Sequence, residues 1–122
     1  MKKTTIFIIS REERKVLASL KSRMRKMPWL DYGIQKLVIE TGINRTKLQQ
    51  SFYFLFGVPI HVYLLEQRMT FAKKLLRQTT LPVKAVATQS GFKSEKYFFR
   101  FFKQKTSSTP IAYRKRSKNP KP

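Results

Sequence analysis

The apolar frame of residues 34–63 returns at residues 83–113. Ile34, Leu37, Val38, Gly42 and Ile43 align with Val83, Val86, Ala87, Gly91 and Phe92 at an offset of 49. Asn44, Leu48, Phe52 and Tyr63 then align with Ser94, Phe98, Phe102 and Tyr113 at an offset of 50. The second copy has therefore gained one residue, in the turn just after Gly91 and Phe92. Each copy reads as a short helix, a turn containing glycine, a polar cap and a second helix. Glycine tolerates the positive φ such a turn requires, so the plan is that of a helix-turn-helix. One copy could arise from any two short helices. Two copies in register restrict the chain to paired units of one architecture.

The flanking segments fit the same all-α class. Ser10 is placed to cap a first helix, with Glu12 and Glu13 in its first turn and Val16, Leu17, Leu20 and Met24 at helical spacing up to Pro28. A longer helix starts near Pro59 and runs to about Gln78, with Val62, Leu65, Met69, Ala72, Leu75 and Leu76 along one stripe. Pro110 opens a last turn or short helix containing Tyr113. No segment reads as a well-supported strand, and about seven helices are expected. The expected layout is an N-terminal arm at 1–9, a first helix and first unit at 10–58, and a linker helix at 59–81. A second unit at 82–116 and a disordered basic tail at 117–122 complete it.

Charge and composition narrow the chemistry. The chain has 122 residues and a net charge of +21, and it is 41% apolar, enough to supply a core. It has no cysteine, which excludes disulfides and thiolate metal sites, and its single histidine, His61, gives a His-based zinc site or a Ser-His-Asp triad little support. Among the six carboxylates, only the adjacent Glu12 and Glu13 form a local pair, and they diverge on a helix. The reading is a non-enzyme that requires no metal or cofactor. The apolar run Ile6 to Ile9 is shorter than the ~7 residues of a signal-peptide core, and no run nears the ~18 of a membrane span. A cytoplasmic chain without a membrane partner is expected. A field this positive draws polyanions: nucleic acid first, an anionic membrane surface second and acidic proteins third.

The repeat says which side chains would meet that polyanion. In the second helix of the first unit, Leu48, Phe52 and Leu55 form the core stripe, leaving Arg45, Thr46, Gln49, Gln50 and Tyr53 on the other face. In the second unit Phe98 and Phe102 face inward, leaving Glu95, Lys96, Phe99, Arg100 and Lys103 outward. Gln pairs bidentately with adenine, Arg with guanine, and apolar groups meet the thymine methyl, so these faces carry the vocabulary of major-groove readout. The linker helix of about 19 residues spans roughly 28 Å, comparable with the ~34 Å between successive major-groove faces. One chain could then place both recognition helices, 45–55 and 94–105, on one side of a duplex.

From Leu37 to Arg114 the chain resembles the DNA-binding domain of the AraC/XylS transcription regulators. The matching pieces are Lys47-Leu48, Phe52, Phe56-Gly57, Tyr63-Leu64, Arg68-Met69, Ala72 and Leu75-Leu76. They continue as Val83, Val86-Ala87, Gly91-Phe92, Tyr97-Phe98, Arg100, Phe102-Lys103, Pro110 and Tyr113-Arg114. The resemblance implies seven helices, two helix-turn-helix units and contact with two successive major grooves. By position it implies base contacts from Thr46, Gln49 and Gln50 and from Glu95, Lys96 and Arg100, with Arg45 beside them. Lys47, Lys93, Lys103 and Arg114 are the expected phosphate contacts.

Several residues depart from the family pattern. Thr106-Ser107 replaces the usual aromatic-Gly pair, from which a frayed end of the second recognition helix is expected. Tyr53, Phe54, Phe99 and Phe101 stand where polar or basic groups are usual. Core packing is one explanation. The other is that Tyr53-Phe54 forms an exposed patch suited to an effector or dimerisation domain, a partner subunit or RNA polymerase. Glu95 opposes phosphate, and its roles would be to accept from cytosine N4 or to cap the helix. A stand-alone regulator and a domain of a longer protein both remain open, as does a basic module that coats nucleic acid without specificity or binds an acidic partner.

Overall fold

The computed structural model describes residues 8–118, and within them the chain is all-α. The helices are α1 (Arg11–Lys26), α2 (Ile34–Thr41), α3 (Arg45–Phe56), α4 (Ile60–Gln78), α5 (Val83–Gln89), α6 (Glu95–Thr106) and α7 (Pro110–Lys118). Most of the expected arm and tail lies outside the described residues. Ser117 and Lys118, assigned to the tail from sequence, instead extend α7, where the Ser117 hydroxyl donates to Tyr113 O at 2.9 Å.

Short polar side chains fix the starts of α1, α3 and α6. Ser10 and Glu13 form a reciprocal capping box on α1, with Ser10 N donating to Glu13 Oε1 at 2.8 Å and Glu13 N to Ser10 Oγ at 3.0 Å. Asn44 caps α3 by accepting from Lys47 N at 2.9 Å, and Ser94 caps α6 by accepting from Tyr97 N at 3.0 Å. These two caps occupy equivalent places in the repeat. They set where α3 and α6 begin and which residues form the first turn of each.

The helices enclose two cores, one per unit. The first gathers Leu17, Leu20 and Met24 of α1 around Leu37, Leu48 and Phe52. The second gathers Val86, Ala87, Phe92, Phe98 and Phe102. Tyrosines close both in the same way: Tyr63 lies 5.8 Å from the Phe52 ring, and Tyr113 lies 5.4 Å from the Phe102 ring. Each fully buried Phe contributes ~1.5–3 kcal/mol relative to leaving it in water.

Helix α4 belongs to both cores. Ile60, Tyr63 and Leu64 enter the first, and Met69, Ala72 and Leu76 enter the second. At 100° per residue the two trios are centred about 150° apart around the helix axis. The single stripe expected from sequence holds for Met69, Ala72 and Leu76, but Val62, Leu65 and Leu75 are only half-buried. The reason is that α4 changes partners along its length. Its first half packs beside α1 and α3, its second beside α5 and α7.

Candidate nucleic-acid interface

The two cores dictate the outward faces of α3 and α6. With Leu48, Ser51 and Phe52 buried, Arg45, Thr46, Gln49, Gln50 and Tyr53 are all exposed along one side of α3. With Phe98 and Phe102 buried, Glu95, Lys96, Phe99, Arg100 and Lys103 are exposed along the equivalent side of α6. The offset of 50 pairs Thr46 with Lys96, Gln49 with Phe99 and Gln50 with Arg100. Both faces start one residue after a capped turn. Each presents a row of side chains at i, i+3, i+4 and i+7 spacing.

The aromatic residues of α6 divide between the two sides. Phe101 packs inward, 6.1 Å from the Phe92 ring and stacked on Tyr97 at 6.0 Å. Phe99 stays 40% exposed between the lysines of the outward face. On α3, Tyr53 is 57% and Phe54 67% exposed. Glu95 sits in the first turn of α6, but the cap there is Ser94, so the capping role considered for Glu95 goes to its neighbour.

The four expected phosphate contacts are placed unequally. Lys93 and Lys103 are exposed beside the outward face of α6. The Lys47 ammonium instead lies 3.0 Å from Glu13 Oε2, which ties α3 to the start of α1. The Glu13 carboxyl is held below its ordinary value, first by the Ser10 backbone N–H and then by Lys47. Arg114 is placed differently from the two exposed lysines. It is half-buried, its Nε donates to Leu76 O at 3.0 Å, and its Nη2 is shielded from solvent. Its guanidinium ties α7 to the last turn of α4, where it satisfies a carbonyl and complements the negative end of that helix.

The end of α6 also differs from expectation. Ser107 adopts the left-handed conformation with φ 58°, and its N–H donates to Lys103 O at 2.8 Å. The Thr106 hydroxyl donates to Phe102 O at 2.8 Å and accepts from Ser108 N at 3.2 Å. The helix therefore ends in an ordered cap without the glycine. Side-chain hydroxyls satisfy backbone groups that a frayed end would leave to water.

Sequence reasoning missed the role of Arg68. In the sequence it belongs only to the family pattern, yet it is half-buried and bonded to two carbonyls of the α1–α2 loop. The available signal was a guanidinium lying between Leu65 and Ala72 on the apolar side of the linker helix.

Comparison with known proteins places this arrangement. A family model described as a helix-turn-helix domain matches residues 37–116. The xylose operon regulatory protein of Escherichia coli (strain K12) is 30% identical over 81 residues, which cover 66% of this chain and 21% of that protein. The chain thus spans about a fifth of that relative's length. The C-terminal domain of the two-component response regulator yesN from Fusobacterium nucleatum superposes with a TM-score of 0.71 at 29% identity, covering 83% of this chain and 96% of that one. The DNA-binding domain of AdpA, a global transcriptional factor solved in complex with a target DNA, superposes with a TM-score of 0.72 at 24% identity, covering 93% of this chain and 100% of that one. Two capped helix pairs, repeated on one spacer helix and matched over most of their length, identify the chain as a member of the AraC/XylS type of helix-turn-helix DNA-binding domains of transcription regulators.

Proposed function

We propose that α3 and α6 of one chain enter successive major grooves on one side of a DNA duplex and read its bases directly. The observation that carries this reading is the equivalence of the two outward faces, which puts Gln50 and Arg100 at the same place in two copies of one frame. Thr46, Gln49 and Gln50, with Arg45 at the helix start, read the first groove; Gln is suited to adenine. Lys96 and Arg100 read the second, Arg100 being suited to guanine O6 and N7, while Phe99 meets a thymine methyl and Glu95 accepts from cytosine N4. Lys93 and Lys103 hold phosphates. Lys47 does so only by exchanging its Glu13 partner. The output is control of transcription in the cytoplasm.

The charge distribution supports an unequal division of labour. Residues 82–122 carry a net +10 and residues 34–58 a net +2. The second unit therefore supplies more of the counterion-dependent grip, and the first relies more on hydrogen bonds from Gln49 and Gln50. Competition between a preferred duplex and random duplex tests the reading. The preferred duplex should win, with affinity falling by a factor of ~10³ or more between 50 and 200 mM salt if about six phosphates are engaged. Equal competition by both duplexes would leave only a nucleic-acid coat.

A protein partner is proposed for the far end of α3. The exposure of Tyr53 and Phe54 favours docking of an effector domain, partner subunit or RNA polymerase over core packing. Affinity for RNA polymerase or for a fused effector domain should fall in the Tyr53→Ala/Phe54→Ala double variant. Unchanged affinity for both removes the patch from consideration.

A further inference from the structure

The bonds of Arg68 lie outside both recognition helices, and the base-reading scheme does not use them. Arg68 Nε donates to Pro28 O at 2.8 Å, and Nη2 donates to Leu30 O at 2.9 Å. Both carbonyls belong to the α1–α2 loop of the first unit. Between them stands Trp29, whose ring lies 5.0 Å from Phe71, three residues further along α4. The second unit approaches the same point from the other side. Gly91, in the α5–α6 turn with φ +92°, is so close that a Cβ there would stand 2.7 Å from Arg68 Nε and 3.0 Å from Trp29 Cα.

The geometry of α4 explains why the contact falls here. The helix presents its first core and its second core on faces about 150° apart, and position 68 lies about midway between them. Arg68 therefore occupies the angle between the two units. Its fork fastens the loop of one while its flank receives the glycine turn of the other. Burial lowers the proton affinity of this guanidinium, with Asp31 opposing the shift. A charged group in such a place is held by its hydrogen bonds, and removing them releases both neighbours.

We propose that Arg68 is a positioning residue that locks the angle between the two helix-turn-helix units and so sets the half-site spacing the chain accepts. Gly91 is the second part of the lock, because any side chain there displaces the guanidinium or the Trp29 backbone. The spacing consequence rests on the reading of α3 and α6 as paired base readers. The lock itself does not, so it is tested first without DNA.

The absence of native cysteine permits site-specific labelling. Spin labels at Gln35→Cys on α2 and Lys84→Cys on α5, both exposed, report the angle as a distance distribution. A single narrow distribution is expected in the parent. Arg68→Met keeps the packed stem but removes both hydrogen bonds, and Gly91→Ala pushes the fork aside. Both should broaden or shift the distribution while helix content by circular dichroism is retained. Duplexes with the two half-sites moved by one base pair then read the consequence. If the competent angle falls to about a tenth of the population, affinity for the best-spaced duplex falls about tenfold. Affinity for mis-spaced duplexes falls less, so the spacing preference narrows.

An unchanged distribution in either folded variant overturns the lock. Global unfolding of both variants also overturns it, by assigning these residues to stability alone. A broadened distribution with unchanged spacing preference overturns the link to half-site spacing. A broadened distribution in a chain that shows no sequence preference supports the lock and rejects the base-reading scheme.

Discussion

Ser107 holds the backbone place in the second unit that Gly57 holds in the first. Both end a recognition helix in the left-handed region, at φ 58° and 73°, and both return an N–H to the carbonyl four residues earlier at 2.8 Å. Glycine adopts this conformation freely, whereas a side chain crowds the backbone at a cost of roughly 1–2 kcal/mol. Ser107→Gly should therefore stabilise the chain by about 0.5–1 kcal/mol, once the greater freedom of glycine in the unfolded chain is deducted. Denaturant melting would show this as a higher midpoint with an unchanged slope.

Arg100 and Arg114 are both arginines of the second unit, and their substitutions should separate cleanly. Arg100→Ala should cost ~1–3 kcal/mol on the preferred duplex and little on random DNA. Equal losses on both would reduce Arg100 to a phosphate contact. Arg114→Ala removes the bond to Leu76 O, so melting temperature should fall while sequence preference is kept.

Phe99 supplies a test at the level of a single methyl group. Replacing thymine by deoxyuridine across the preferred duplex should weaken binding at one position by about 1 kcal/mol, the value of one buried methyl or methylene. In Phe99→Ala that position should become indifferent to the replacement. Identical methyl dependence in parent and variant would return Phe99 to a packing role.

Two carboxylates tie stability to pH. Glu40 is held below its ordinary value of 4.5 by the Arg23 guanidinium, whose Nη1 donates to Oε1 at 2.9 Å, and Glu13 is lowered by Ser10 and Lys47. Because the folded values are depressed, the stabilisation is present above the unfolded carboxylate value and is lost as pH falls through the folded one. The melting temperature should decline below about pH 5. Glu13→Gln and Glu40→Gln should each flatten that decline. Both groups are near the surface, so the individual effects should be small.

Much of this architecture is legible in the sequence. Pro28, Gly42, Gly57 and Gly91 punctuate the helices, and the offset of 49–50 revealed two units because each unit must bury the same stripe. The outward faces of α3 and α6 followed from that stripe. What escaped depends on contacts between residues distant in sequence. Arg114 and Lys47 look like free cations in a chain of 27 basic residues, until the partners Leu76 and Glu13 are brought beside them by folding. Arg68 was hidden for the same reason, its carbonyl partners lying 38 and 40 residues away. The split stripe of α4 escaped because a one-helix periodicity assumes one buried direction. Thr106 and Ser107 misled because a hydroxyl can replace glycine as a cap only through local bonds that spacing does not reveal.

Selection of bound sites from a random duplex library by the purified chain tests the central claim most directly. Two short sequence blocks, centred about 10 base pairs apart, should emerge, one lost on Gln49→Ala/Gln50→Ala and the other on Arg100→Ala. A single block untouched by one of these changes, or no block at all, would contradict the account of two units reading bases in successive grooves.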